Sequence, residues 1–167
     1  MTILHISGMG FPPYATNRCT QTLEAIPQGP FVRTLDGKLV FIGTVWNHKY
    51  KSVIQGEDNN TPTLAMLTCG QEVVVQCMQS LWEEATGEQV ILSRPTTPNT
   101  ISAVDRQGDD VPLVIEAPQQ VRLEEDLISF PVFIQYYPVL KMLVRSFVLE
   151  GGQENYSTKW RLELEEV

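Results

Sequence analysis

The sequence predicts an all-β fold: antiparallel strands in a sandwich or barrel, a jelly-roll-like form included, behind a Pro/Gly-rich N-terminal arm. Three observations predict it. Short runs rich in Val, Ile, Leu and aromatic residues recur about every ten residues between Gly, Pro, Asn and Asp clusters, which makes roughly eight to eleven strands. No stretch of helical length repeats its apolar residues at the helical period. The composition, 43% hydrophobic and 19% charged, is globular with little charge. At 167 residues the chain suits one domain with an ordered arm, read as an arm over 1–30 and a β domain over 31–167.

Residues 1–30 are punctuated by Gly8, Gly10, Pro12, Pro13, Pro27, Gly29 and Pro30, as in a linker or a draping arm. Within them Arg18–Ile26 has the Thr, Leu and Ile for one short strand. Phe31–Thr34 and Leu39–Ile42 flank Asp36-Gly37, the strongest hairpin signal in the chain, because Gly tolerates the positive φ of a primed turn. Thr44–Trp46 extends the strand past a bend at Gly43. Lys49–Gln55 reads as a strand and Gly56–Pro62 as a polar loop.

Farther on, Glu72–Leu81 reads as a strand, and the following Trp82–Gly87 has the option of one short helix. Gln89–Ser93, Pro112–Glu116 and Val121–Leu123 read as short strands, with Arg94–Thr100 and Asp105–Asp110 as loop and turn. Leu127–Tyr137 is apolar but broken by Pro131, which predicts an edge strand or a bulge. The last two runs form a hairpin about Gly151-Gly152. In the second, Trp160, Leu162 and Leu164 alternate with Lys159, Arg161, Glu163 and Glu165, so the three apolar residues face the core. In the first, strict alternation puts Leu140, Met142, Val144, Ser146 and Val148 on one face. Lys141 and Arg145, on the other, are expected near Glu163 and Glu165.

Twelve Lys and Arg stand against twenty Asp and Glu, a net charge of −8. That balance argues against specific nucleic-acid binding, which needs a basic footprint. No apolar run reaches membrane-spanning length, and the first residues lack the charged and apolar regions of a signal peptide. Cys19, Cys69 and Cys77 are odd in number and widely spaced, which predicts free thiols in a reducing compartment.

No residue pattern names a reaction, and no catalytic, cofactor or metal residues are assigned. His5 and His48 are the two histidines, and neither sits in a nucleophile frame. His48 is expected in a polar connection between strands. Cys69 and Cys77 with His48 match no zinc spacing, and both cysteines are expected in the core. The acid pairs Glu83-Glu84, Asp109-Asp110, Glu124-Glu125-Asp126 and Glu165-Glu166 read as solvated charge, although two acids across a cleft are what a glycosidase needs. Glu57, Asp58 and Asn59 offer oxygen ligands for calcium without the EF-hand pattern. Gly8-Met9-Gly10-Phe11 lacks the Lys of a phosphate loop. Asn155-Tyr156-Ser157 is a glycosylation sequon, which matters only on a secretory route. Tyr136, Tyr137 and Trp160 are either core or a stacking platform, and Trp46 and Trp82 join the tyrosines in a ligand-binding reading.

Two groups of residues carry a resemblance. Arg33–Val40 (R-T-L-D-G-K-L-V), His48–Ile54 (H-K-Y-K-S-V-I), the polar E-D-N-N-T-P after it and Cys69–Val75 (C-G-Q-E-V-V-V) form one. Trp160–Val167 (W-R-L-E-L-E-E-V) forms the other. Together these stretches resemble a family of small β-rich structural proteins of tailed bacteriophages. The resemblance implies a non-enzymatic virion component assembled in the host cytoplasm. It further implies a capsid decoration (cement) protein or a tail or head–tail neck component, a homo-oligomer with a trimer as the expected symmetry, and the major capsid protein as partner. It brings no catalytic residue, cofactor or metal. A carbohydrate- or ligand-binding β-sandwich is the remaining alternative.

Overall fold

The computed structural model describes residues 4–11, 18–58, 62–124, 130–151 and 157–167. In chain order the strands are β1 (His5–Ile6), β2 (Cys19–Gln28), β3 (Phe31–Arg33), β4 (Leu39–Phe41), β5 (Thr44–Asp58), β6 (Glu72–Gln76) and β7 (Leu81–Ala85). They continue with β8 (Gln89–Ile91), β9 (Ser102–Val104), β10 (Leu113–Ala117), β11 (Gln120–Leu123), β12 (Val132–Tyr136), β13 (Val139–Gly151) and β14 (Thr158–Glu166). A single 3₁₀ turn at Leu64–Met66 is the only helical element among the described residues. The fold is therefore antiparallel all-β, as the turn spacing predicts. Its sheets are open, so the sandwich description holds and the closed barrel does not.

The chain divides into two compact units, Met1–Met9 with Val73–Lys141, and Gly10–Glu72 with Met142–Val167. In the first unit β1 pairs with β6, β12 lies between β7 and β9, and β11 lies between β10 and β8, all antiparallel. Its core gathers Leu92, Val121, Val132, Ile134 and Tyr136 among others. In the second unit β14 pairs with β13 and β5, and β2 completes the edge beyond β5.

These four strands have one apolar and one charged face, the usual result when an antiparallel sheet is covered on one side. Across it Phe147, Leu162, Ile54 and Gln21 stand in one cross-strand row, and Val144, Leu164, Ser52 and Leu23 in the next. Leu162, Leu164 and Ile54 are fully buried and Trp160 nearly so, as the alternation predicts. Each such side chain contributes roughly 1.5–3 kcal/mol of hydrophobic burial. Ser52, buried in the same face, accepts a hydrogen bond from the Gln21 side-chain amide at 3.0 Å, which satisfies two polar groups that burial would otherwise penalise.

Several expectations are corrected. The register of β13 against β14 shifts between Val144 and Ser146. This bulge at Arg145 turns the later side chains over. Leu140, Met142 and Val144 are buried as expected, but Val148 is exposed and pairs with Arg161, while Phe147 pairs with Leu162. Trp82–Ala85 belongs to β7, in line with the strand reading and not the helix option, whereas Glu72–Leu81 is broken after Gln76. His48 lies within β5, which runs unbroken from Thr44 to Asp58 and absorbs the start of the expected loop at Gly56. Pro131 precedes β12, and β12 is central in its sheet because both its edges find partners. Within 1–30, Cys19–Gln28 bears out the strand expected over Arg18–Ile26, and His5–Ile6 is a second paired strand; residues 1–3 and 12–17 lie outside the described ones.

Candidate interaction surface

β2, β3, β4 and β5 form one long hairpin with a break near its middle. Gln28 pairs with Thr44, then Phe31 with Phe41, Val32 with Val40 and Arg33 with Leu39. Gly29 and Gly43 face each other at the break. A Cβ on Gly29 would stand 2.3 Å from the Ile42 carbonyl oxygen, and one on Gly43 would stand 2.3 Å from that of Gln28. Only glycine permits this backbone approach. Pro27 sits where the β2–β5 register shifts, so its missing N–H interrupts a ladder that is already irregular.

Beyond the break the ribbon is exposed except at Phe41, which is half-buried. Every residue from Phe31 to Val40 is exposed, and Phe31 (61%), Leu35 (112%), Leu39 (54%) and Ile42 (58%) are large and apolar. Cross-strand pairs share a face, so Phe31, Phe41 and Leu39 lie on one side and Val32 and Val40 on the other. The Phe31 and Phe41 rings meet at 5.0 Å in a tilted contact. A two-stranded ribbon with apolar side chains on both faces is marginal in water and fits an interaction surface.

The tip that presents Leu35 is nonetheless firmly built. Gly37 has φ +83° and donates its N–H to the Thr34 carbonyl at 2.8 Å. The Thr34 N–H donates to the Lys38 carbonyl at 3.0 Å, and Arg33 donates to the Gly37 carbonyl at 2.9 Å. The Thr34 hydroxyl donates to the Asp36 carboxylate. That hydroxyl, with backbone N–H groups at Asp36 and Lys38, holds the Asp36 carboxyl below its ordinary value of 3.8. A depressed carboxylate stabilises the folded tip above its unfolded pKa and loses that contribution as pH falls through the folded one. Thr34→Val is expected to return the Asp36 titration, followed by the carboxyl NMR signal, towards 3.8; an unmoved titration would show that the hydroxyl is not the cause.

The charged face of the second unit is a separate surface. Glu163 meets Arg161 at 2.8 Å and Lys51 at 3.4 Å, and Glu165 meets Arg145 at 3.3 Å. The Arg145–Glu165 proximity is the one the alternation predicts. Partly exposed pairs of this kind contribute about 0–1 kcal/mol each, so the ladder orients side chains more than it stabilises the sheet.

The first unit contains a polar cluster with no precedent in the sequence pattern. Glu83 of β7 accepts hydrogen bonds from the Ser93 N–H at 3.1 Å, the Ser93 hydroxyl at 2.5 Å and the Tyr136 hydroxyl. The two hydroxyls also lie 3.0 Å apart. Arg94, 8% exposed, donates to the Ser93 carbonyl at 2.8 Å. A serine beside a carboxylate suggests hydrolysis, but a nucleophile needs a base that can take its proton and then give it up. Here the hydroxyl is held by a carboxylate also engaged by Tyr136. The arrangement fits a structural network joining β7, β12 and the loop after β8.

The other candidates are dispersed. His5 and His48 are both exposed, on strands of different units. Cys77 is fully buried, as expected of core, but Cys69 is exposed in the turn before β6. None of Cys19, Cys69 and Cys77 forms a disulfide. Among the described residues no group of three metal-ligating side chains forms. Glu57 accepts from the Ser157 hydroxyl at 2.8 Å and faces Lys159 at 3.9 Å; Asn59 and the Asp58 side chain lie outside the described set. Asp109 and Asp110 are exposed, Asp110 in an isolated bridge with Val104, and the Asp105 carboxylate accepts from the Gln107 and Asp109 N–H groups. Glu83 and Glu84 lie within β7 and not in a loop, and Glu166 accepts from the Tyr50 N–H. Glu125, Asp126, Asn155 and Tyr156 are outside the described residues. Gly8–Phe11 opens no helix; the Gly10 N–H donates to the Thr63 hydroxyl at 2.7 Å.

Tyr136 and Trp160 are buried, so neither offers a face for stacking, and the core reading holds for both. Tyr137 is half-buried, Trp82 is 54% exposed, and the Trp46 side chain is outside the described set. Among the described residues no helix is long and apolar enough to cross a membrane. Comparison with protein-family models, curated proteins and solved structures finds no match.

Proposed function

We propose that this chain is a non-enzymatic structural protein of a tailed-phage virion, a homo-oligomeric decoration protein that binds the major capsid protein and stabilises the head shell. The observation that carries the assembly role is the exposed apolar ribbon Phe31–Ile42. Exposed apolar area of this kind is a cost to an isolated monomer and is relieved by a protein–protein contact. The resemblance of Arg33–Val40, His48–Ile54 and Trp160–Val167 to small phage structural proteins supports the virion and the trimeric symmetry. The net charge of −8 suits a component on the outside of the shell, away from packaged DNA.

Labelled protein, added to virions whose genome encodes it and imaged by electron cryomicroscopy, tests the location. Density over the whole shell is the expected result. Density at a single vertex replaces the decoration role with a tail or neck role, and the absence of binding overturns the virion assignment.

A further inference from the structure

We propose that the distal ribbon Phe31–Ile42 is an assembly finger that docks, head to tail, on the Trp82–Glu84 face of β7 in a second copy of this chain. The inference concerns self-association and stands whichever particle the assembly belongs to.

Charge selects the occupant. Residues 31–42 carry Arg33 and Lys38 against Asp36, a net charge of +1 in a chain of −8. The first unit carries ten Asp and Glu against four Lys and Arg, so it holds most of the negative charge. A basic apolar finger is attracted to that unit of a neighbour and repelled by another finger.

The same unit offers an apolar seat. Trp82 and Glu84 are both exposed and point to the same side of β7, because residues two apart on a strand share a face. Among the described residues β7 is an edge strand of its sheet, with β12 beside it. An exposed indole with a carboxylate next to it matches the finger's Leu35 and Leu39 beside Arg33 and Lys38: apolar area covers apolar area, and each cation meets an anion or an aromatic face.

Geometry selects the symmetry. The finger is apolar on both faces, so a two-fold stack of fingers would cover one face, leave the other wet and bring Arg33 and Lys38 of both copies together. A head-to-tail contact uses two different surfaces, and repetition of it closes a ring when the rotation allows.

The test uses the full chain in sedimentation velocity over a concentration series. Wild type is expected to associate, and Leu35→Asp to remain monomeric with an unchanged circular dichroism spectrum, since Leu35 is fully exposed. Lys38→Glu and Glu84→Lys are each expected to weaken association by about tenfold or more, and the two together in one chain to restore it. A carbodiimide cross-link between Lys38 and Glu84 is expected in wild type, and in a mixture of isotopically light and heavy copies it is expected to include mixed light–heavy pairs, which only an intermolecular bond produces. A wild-type monomer at high micromolar concentration overturns the proposal. So does failure of the double swap to restore association, or a Leu35-dependent oligomer without the Lys38–Glu84 cross-link.

Discussion

Leu162→Ala is expected to cost about 2–5 kcal/mol of unfolding free energy. Leu162 is fully buried at the centre of the second unit's sheet, between Phe147 of β13 and Ile54 of β5. Truncation removes the transfer energy of the lost methyl groups and leaves a hole that close-packed neighbours fill only in part. Urea denaturation is the measurement, with a lowered midpoint and an unchanged slope as the result. Two aspartates sharpen it. Val144→Asp places an unpaired carboxylate in the apolar face and is expected to prevent folding. Val148→Asp, exposed beside Arg161, is expected to change stability by less than about 0.5 kcal/mol. Equal damage at the two valines would rule out the bulge at Arg145, since unbroken alternation puts both on one face.

Glu83→Leu is expected to destabilise the first unit by about 1–3 kcal/mol, the cost of a buried donor that loses its acceptor. The Ser93 N–H and hydroxyl and the Tyr136 hydroxyl all lose this acceptor; exposed Ser93 turns to water, whereas the Tyr136 side chain is buried. Glu83→Gln, which preserves an acceptor oxygen, is expected to lose less. Tyr136→Phe in the Glu83→Leu background is expected to recover part of the loss, because it removes the buried hydroxyl that lost the carboxylate. A double-mutant cycle by thermal or urea unfolding measures this coupling. Additive losses would show that the hydroxyl and the carboxylate do not depend on one another.

The finger was legible as a hairpin. Asp36-Gly37 between Phe31–Thr34 and Leu39–Ile42 supplies the turn, but the primed type expected there needs positive φ at both residues. Gly37 takes it and Asp36 does not, so the chain closes in a longer loop over Thr34–Lys38. Its exposure was not legible. An apolar alternating ribbon reads as core, since local pattern does not reveal whether a partner sheet covers it. Nor was the Glu83–Ser93–Tyr136 cluster legible, because its three residues are 10 to 53 positions apart and only the pairing of β7 with β12 brings Glu83 near Tyr136. The burial of Tyr136 carried a faint signal: it sits in a run where Val132, Ile134 and Tyr136 alternate with Phe133 and Gln135, and the alternate residues are the buried ones.

By itself the sequence determined the all-β class, the turns at Asp36-Gly37 and Asp105–Asp110, and the inward set Trp160, Leu162 and Leu164. These follow from side-chain alternation and from backbone angles that glycine and short polar residues accept, both of which act over a few residues. Only the tertiary structure decided the facing of Val148, the central place of β12 and the division into two units. It also decided which of the apolar ribbons stays in water. Each of these depends on what packs against a strand from elsewhere in the chain: a bulge is an irregularity between two strands, and burial is a property of a face and its cover.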